Sequence, residues 1–239
     1  MNKELPVWAV IPAAGSGTRM GGDIPKQYLA FHGKTVIEHT LDRLLAQAEI
    51  DGAILVLDEN DRHWERLGYE ASKPLFVAAG GSERQDSVYC GLTTLQHRCG
   101  TDCMALVHDA VRPLVSSRDL SRVIQAAREH PAGAILAAPV TDTLKLENRT
   151  GEIGSTLSRE GLWRALTPQV FHLQPLLQAY KRVIDEGRRV TDDAEAVELA
   201  GYAPRLVPGS AINLKITVPE DLSLAEALWL HQRDEENDE

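Results

Sequence analysis

No stretch of the 239-residue chain approaches the roughly 20 apolar residues of a membrane-spanning helix, so no membrane segment is expected. Cysteine is scarce: Cys90, Cys99 and Cys103 are odd in number and form neither a CxxC pair nor a metal-ligand spacing. A disulfide framework and a structural zinc site are thereby excluded, and the three read as reduced thiols of a cytoplasmic protein, packed as small core residues. Positive charge is in deficit, with 25 Lys and Arg against 35 Asp and Glu for a net charge of −10. A nucleic-acid partner is therefore not expected, and any phosphate must be drawn by local cations. The first apolar segment, which follows Pro6, is too brief and too interrupted for a secretory signal.

What is present suits one α/β domain over residues 1–232, since 43% of the chain is apolar. Short apolar runs rich in β-branched residues recur at 7–11, 53–57, 75–77, 104–107 and 134–138, and read as buried strands. Between them, Val36, Leu41, Leu44 and Leu45, then Val88, Leu92 and Leu95, then Leu120, Val123, Ile124 and Ala127 repeat at helical spacing. This βαβ alternation predicts a doubly wound, mostly parallel sheet with helices on both faces and ligands beyond the carboxyl ends of the strands. Residues 140–157 break the alternation and read as a projecting β-arm too polar to stand alone, packed against a second subunit or left as a surface loop. Helices are expected at 173–186, 192–200 and 220–232, and residues 233–239 as a disordered acidic tail.

After the first strand comes Pro12-Ala13-Ala14-Gly15-Ser16-Gly17-Thr18-Arg19-Met20, followed by Pro25-Lys26-Gln27-Tyr28-Leu29. Small residues let backbone N–H groups approach a phosphate chain, with Arg19 as a forked donor and Lys26 as a point charge behind Pro25. Gly15-x-Gly17 by itself is equally a tight turn. Met20 stands where the dinucleotide-binding fingerprint needs its third glycine, and no Gly-Lys-Ser/Thr follows for a Walker A loop. A nicotinamide-dependent oxidoreductase is disfavoured on that ground. A non-catalytic nucleotide sensor is disfavoured by the cations Arg19, Lys26 and Lys215.

That string resembles the 2-C-methyl-D-erythritol 4-phosphate cytidylyltransferases of the non-mevalonate isoprenoid pathway, which have a Rossmann-like nucleotidyltransferase fold. The likeness continues through Gly80 to Val88, His108-Asp109-Ala110-Val111-Arg112-Pro113, Thr141-Asp142-Thr143, Leu166-Thr167-Pro168-Gln169, Thr191-Asp192-Asp193-Ala194 and Asn213-Leu214-Lys215.

The resemblance implies transfer of CMP from CTP to the polyol phosphate with release of pyrophosphate, and leaves a related acceptor such as ribitol 5-phosphate as the alternative. By the same resemblance Arg19 and Lys26 are catalytic, and Ala13, Ala14, Gly15, Gly17, Gly81, Ser82, Ser87, Asp109, Ala110 and Lys215 hold CTP. Arg112, Thr143, Arg159, Thr167, Thr191 and Lys215 hold the polyol phosphate, with Thr143 and Arg159 carried by the arm to the neighbouring subunit of a homodimer. No protein metal cage is implied; Mg²⁺ is held mainly by the CTP phosphates, and His32, His39, His63 and His97 read as surface residues. Three residues depart from the family pattern: Ser82 for Asp, Val111 for Ala, and Glu195 for a small residue.

Overall fold

The computed structural model describes residues 4–15 and 24–238, the side chains of 233–238 excepted. Its elements run β1 (Val7–Pro12), a 3₁₀ turn (Lys26–Tyr28), β2 (Ala30–Phe31), β3 (Lys34–Thr35), α1 (Val36–Ala46), β4 (Ile50–Leu57), α2 (Trp64–Leu67) and β5 (Leu75–Ala79). They continue with α3 (Arg84–Cys99), β6 (Met104–Val107), α4 (Ser117–Glu129), β7 (Ala134–Pro139), β8 (Leu144–Glu147), β9 (Ile153–Leu157) and β10 (Trp163–His172). The last are α5 (Leu173–Asp185), α6 (Asp193–Leu199), β11 (Arg205–Pro208) and α7 (Pro219–Asp238).

The five strands expected from the apolar runs are β1, β4, β5, β6 and β7. In the central ones successive side chains feed two different cores. Ala9 and Ile11 of β1, Ala53 and Leu55 of β4, and Leu106 of β6 pack on one face with Leu41, Leu44, Leu120 and Val123 of α1 and α4. Val10, Ile54, Val56, Ala105 and Val107 pack on the other with Val88, Leu92, Leu176 and Tyr180 of α3 and α5. Burial on both faces is why these strands read as continuous apolar runs rather than alternating ones. At roughly 1.5–3 kcal/mol gross per large apolar side chain, these two layers supply the main drive for folding. Local signals then place the helix starts: Ser116 Oγ accepts from Asp119 N (3.1 Å) ahead of α4, and Asp192 Oδ1 from Glu195 N (2.9 Å) ahead of α6.

The seven-stranded sheet has the order β11-β7-β10-β6-β1-β4-β5. All neighbours are parallel except β10, which runs antiparallel to both β6 and β7. Neither β10 nor β11 is among the strands expected from the apolar runs. Strand β10, being antiparallel, runs back from the ends of its neighbours, with Trp163 opposite Pro139 and Gln169 opposite Val107. Its register with β7 slips between Ala165 and Gln169, around a cis Thr167–Pro168 peptide.

The projecting β-arm is a two-stranded hairpin of β8 and β9, with Leu144 opposite Leu157. Every residue from Lys145 to Ala165 is exposed, including Leu146, Ile153 and Leu157. Helix α7 runs on to Asp238, through most of the segment expected as an acidic tail. Extending an existing helix adds a hydrogen bond per residue without a new nucleus, and Arg and Glu are good helix formers, so charge alone does not end it. No helix among the described residues is long and apolar enough to cross a membrane.

Candidate active site

Three turns at the carboxyl edge of the sheet and one late segment build the site. After β1, Ala13 N donates to Val56 O (2.7 Å), and Gln27 Nε2 reaches the carbonyls of Ala13 (2.8 Å) and Gly15 (3.3 Å). These bonds anchor the start of the glycine-rich turn to the 3₁₀ turn that carries Lys26. Gly17 and Arg19 lie outside the described residues. Lys26 Nζ donates to Ile216 O (3.2 Å), which ties it to the segment bearing Lys215.

After β5 the chain turns at Gly80 and Gly81. A Cβ on Gly80 would stand 2.6 Å from Ala14 Cβ and 2.8 Å from Ser87 Oγ, and one on Gly81 would strike Asp86, so only glycine lets the two turns come this close. Ser87 Oγ accepts from Gly81 N (3.2 Å) and is buried, while Ser82 is exposed and donates to Asp86 Oδ2 (3.1 Å). After β6 come His108, Asp109 and Ala110, all buried.

Asp109 is the electrostatic centre. Its Oδ1 accepts from Arg84 Nε (3.2 Å), and its Oδ2 from Arg112 Nε (3.2 Å) and Lys215 Nζ (3.0 Å). Burial alone would raise its pKa, but Arg84, Lys215 and Arg112 together overcome that and hold the carboxylate well below the ordinary range. Arg84 in turn forks onto Asp193 through Nη1 (3.2 Å) and Nη2 (2.9 Å), and Tyr180 OH donates to the same Asp193 carboxylate. Neither Arg84 nor Asp193 is among the site residues expected from the sequence. Their only signal was to sit inside the Gly80 and Thr191 strings, because the pair is 109 positions apart.

Two clefts meet at this cluster. The first, about 320 Å³, is lined by Ala13, Ala14, Gly15, Lys26, Gly81, Ser82, Ser87, Ala110 and Val111, together with Arg84, Asp109 and Lys215. The second, about 210 Å³, is lined by Arg112, Thr167, Gln169, Thr191 and Asp192, and by the same Arg84, Asp109 and Lys215. The described residues expected to hold the nucleotide thus share one cleft, and four of the six expected to hold the acceptor share the next. Thr143 and Arg159 join neither cleft of their own chain. Both are exposed on the arm, where Arg159 Nη1 bonds Thr141 O.

Among the described residues no three His, Cys, Asp or Glu side chains gather in a way that could hold a metal ion. The expectation that His39 lies on the surface is corrected. It is buried, with Nε2 2.7 Å from Phe31 O and its ring 4.4 Å from that of Trp229, because α7 folds over it. Val111 is buried in the same small cluster, under Phe31, Val36 and Ile216.

A family model described as 2-C-methyl-D-erythritol 4-phosphate cytidylyltransferase (IspD) matches residues 7–231. The 2-C-methyl-D-erythritol 4-phosphate cytidylyltransferase of Vibrio parahaemolyticus is 46% identical over 225 residues, 94% of this chain and 96% of that protein. The protein of the same name from Pseudomonas paraeruginosa is 48% identical over 221 residues, 92% and 94% of the two chains. Among solved structures, a 4-diphosphocytidyl-2C-methyl-D-erythritol synthase superposes with a TM-score of 0.82 at 34% identity, covering 95% of this chain and all of that one (100%). The Francisella tularensis 2-C-methyl-D-erythritol 4-phosphate cytidylyltransferase gives 0.79 at 32% identity, covering 93% and 99%.

Proposed function

The chain belongs to the 2-C-methyl-D-erythritol 4-phosphate cytidylyltransferase family, and from that premise we propose that it transfers the cytidylyl group of CTP to 2-C-methyl-D-erythritol 4-phosphate. The products are 4-diphosphocytidyl-2-C-methyl-D-erythritol, an isoprenoid precursor, and pyrophosphate. One observation carries this reading: Arg84, Asp109 and Lys215 line both clefts, so a nucleotide in the first and a phosphorylated acceptor in the second share a wall of two cations held by one carboxylate.

On this reading the acceptor's phosphate oxygen attacks the α-phosphorus of CTP in line, and the bond to the pyrophosphate leaving group breaks. A phosphate monoester carries roughly −1.5 to −2 charge at neutral pH, so it attacks without a general base. The remaining task is to hold two anions together and to neutralise the charge that builds on the transferring phosphorus. Lys26 and Arg19 take the triphosphate, and Lys215 stands between the two phosphates. Ala13, Ala14, Gly15 and Gly17 frame the nucleotide with Gly81, Ser82 and Ser87, and Asp109 and Ala110 lie at its ribose.

Metal arriving with the nucleotide suits this donor set, since among the described residues the buried Asp109 carboxylate is already engaged by three cations. Mg²⁺ held by the CTP phosphates would add charge neutralisation there. The acceptor lies against Arg112, Thr167 and Thr191, and in a cytoplasmic homodimer Thr143 and Arg159 of the arm complete the neighbouring site. Exposure of the arm's Leu146, Ile153 and Leu157 supports that assembly.

Pyrophosphate release with CTP, Mg²⁺ and a panel of polyol phosphates tests the reading. Release is expected with 2-C-methyl-D-erythritol 4-phosphate in preference to ribitol 5-phosphate. Release with ribitol 5-phosphate alone, or with no member of the panel, would overturn it.

A further inference from the structure

The uncharged polar side chains of the second cleft have no proton left to offer a ligand. Thr191 Oγ1 donates to Glu195 Oε2 (2.8 Å), the oxygen that also accepts Thr191 N–H (2.6 Å). Gln169 directs Nε2 to Leu166 O (3.3 Å) and Asp192 Oδ2 (2.9 Å), which engages both amide hydrogens, while its Oε1 accepts from Ala194 N (2.8 Å).

Thr167 completes the set through His108. His108 Nε2 faces Arg112 O at 3.1 Å, a contact that needs an N–H, so the ring proton is on Nε2. Burial pushes His108 down to about 4 and keeps the ring neutral, leaving Nδ1 as a bare acceptor. The Thr167 hydroxyl, 3.1 Å from that Nδ1, must donate to it, and it also accepts Asp109 N–H (3.1 Å). A hydroxyl has one proton and two lone pairs, so Thr167 and Thr191 present lone pairs only.

We propose that this cleft recognises the carbon chain of its substrate by accepting O–H protons alone, with Glu195 and His108 as positioning residues that fix the hydroxyl protons of Thr191 and Thr167. The side-chain donors that remain are the cations Arg84, Arg112 and Lys215, which suit the phosphate. Such a wall selects a polyhydroxy phosphate. A ketone or ether oxygen in place of a hydroxyl would set lone pair against lone pair, which costs more than losing the group altogether. The inference rests on the reading of this cleft as the polyol phosphate site.

Glu195 also sits at the third position of α6, where such a side chain can serve the helix end alone. Kinetics separate the two roles. With CTP and 2-C-methyl-D-erythritol 4-phosphate, Glu195→Ala should raise KM for the polyol phosphate about three- to tenfold, the range of one misdirected hydrogen bond, with kcat and KM for CTP within about twofold. Glu195→Gln retains an oxygen that can accept the Thr191 proton and should recover most of the loss. In the unaltered enzyme, O-methylation of the hydroxyl that meets Thr191 should weaken competitive binding more than its removal does, and Glu195→Ala should erase that difference.

An unchanged KM in Glu195→Ala, an equal rise for both substrates, or Gln behaving like Ala would overturn the proposal. Failure of the unaltered enzyme to release pyrophosphate would instead remove the reading beneath it. Glu195 is on a surface helix, and the thermal midpoint of each variant confirms that the folded enzyme is being compared.

Discussion

Replacing Arg84 with methionine tests the electrostatic centre directly. Asp193 has no exposed side-chain surface (0%), and its carboxylate is held by the Arg84 fork at 2.9 and 3.2 Å and by Tyr180 OH. Arg84→Met leaves that carboxylate buried with the tyrosine alone, and also strips one of three cations from Asp109. Removing one partner of a buried pair costs about 3–5 kcal/mol, because the remaining charge cannot reach water. Asp193→Asn should cost less, since Arg84 keeps Asp109 and its side chain is 27% exposed. At roughly 2–4 °C per kcal/mol for a chain of this size, Arg84→Met should lower the melting temperature by about 6–20 °C. Urea unfolding followed by circular dichroism measures both free energies. A loss below about 1 kcal/mol for Arg84→Met, or a larger loss for Asp193→Asn, would show that the fork acts as an ordinary surface ion pair and would refute the reasoning.

Lys26→Ala should lower turnover at least about a hundredfold while changing KM for CTP far less, because its charge matters most at the transferring phosphorus; near-normal kcat would remove it from the chemistry. Arg159→Ala should chiefly raise KM for the polyol phosphate, and mixing it with Lys26→Ala should restore part of the activity if sites are shared between subunits. No recovery in verified mixed dimers would exclude the composite site. Acid should destabilise the fold through His108, which stays neutral in the native state down to about pH 4 but takes a proton near 6.5 when unfolded. The unfolded state binds more protons between those values, so this part of the stability is present above pH 6.5 and lost as pH falls towards 4. The loss is about 2 kcal/mol by pH 5. Urea midpoints at pH 7 and 5 that differ equally in the native protein and in a folded His108→Asn variant would assign the effect elsewhere.

Strands β1, β4, β6 and β7 were legible because helices cover both faces of the sheet and their central positions had to be apolar. Strand β10 was not, since its polar residues are satisfied by partners far along the chain: Gln169 by Asp192 and Ala194, Thr167 by His108 and Asp109. Nothing local to 163–172 announces those bonds. The same division holds at the site. Lys26 stands in a string whose residue types suit phosphate binding, and Asp109 and Lys215 were reached through the family resemblance, whereas Arg84 acts through Asp193, a pairing that exists only after α3 and α6 are packed. His39 was misjudged because a histidine's burial depends on what folds over it, here the last helix. Glu195 was visible only as a departure from pattern, and its use became apparent with the Thr191 contact.

The reversal of β10 has a consequence for how the arm can vary. Sheet pairing between β7 and β10 is already closed where Trp163 meets Pro139, and Val140 N bonds Leu162 O (3.0 Å) just beyond it. Everything from Thr141 to Gly161 therefore hangs from a sealed hairpin root. Because closing a longer or shorter loop at such a root changes the free energy only logarithmically, the projection can be lengthened, trimmed or redirected while the ladder beneath it stays in register.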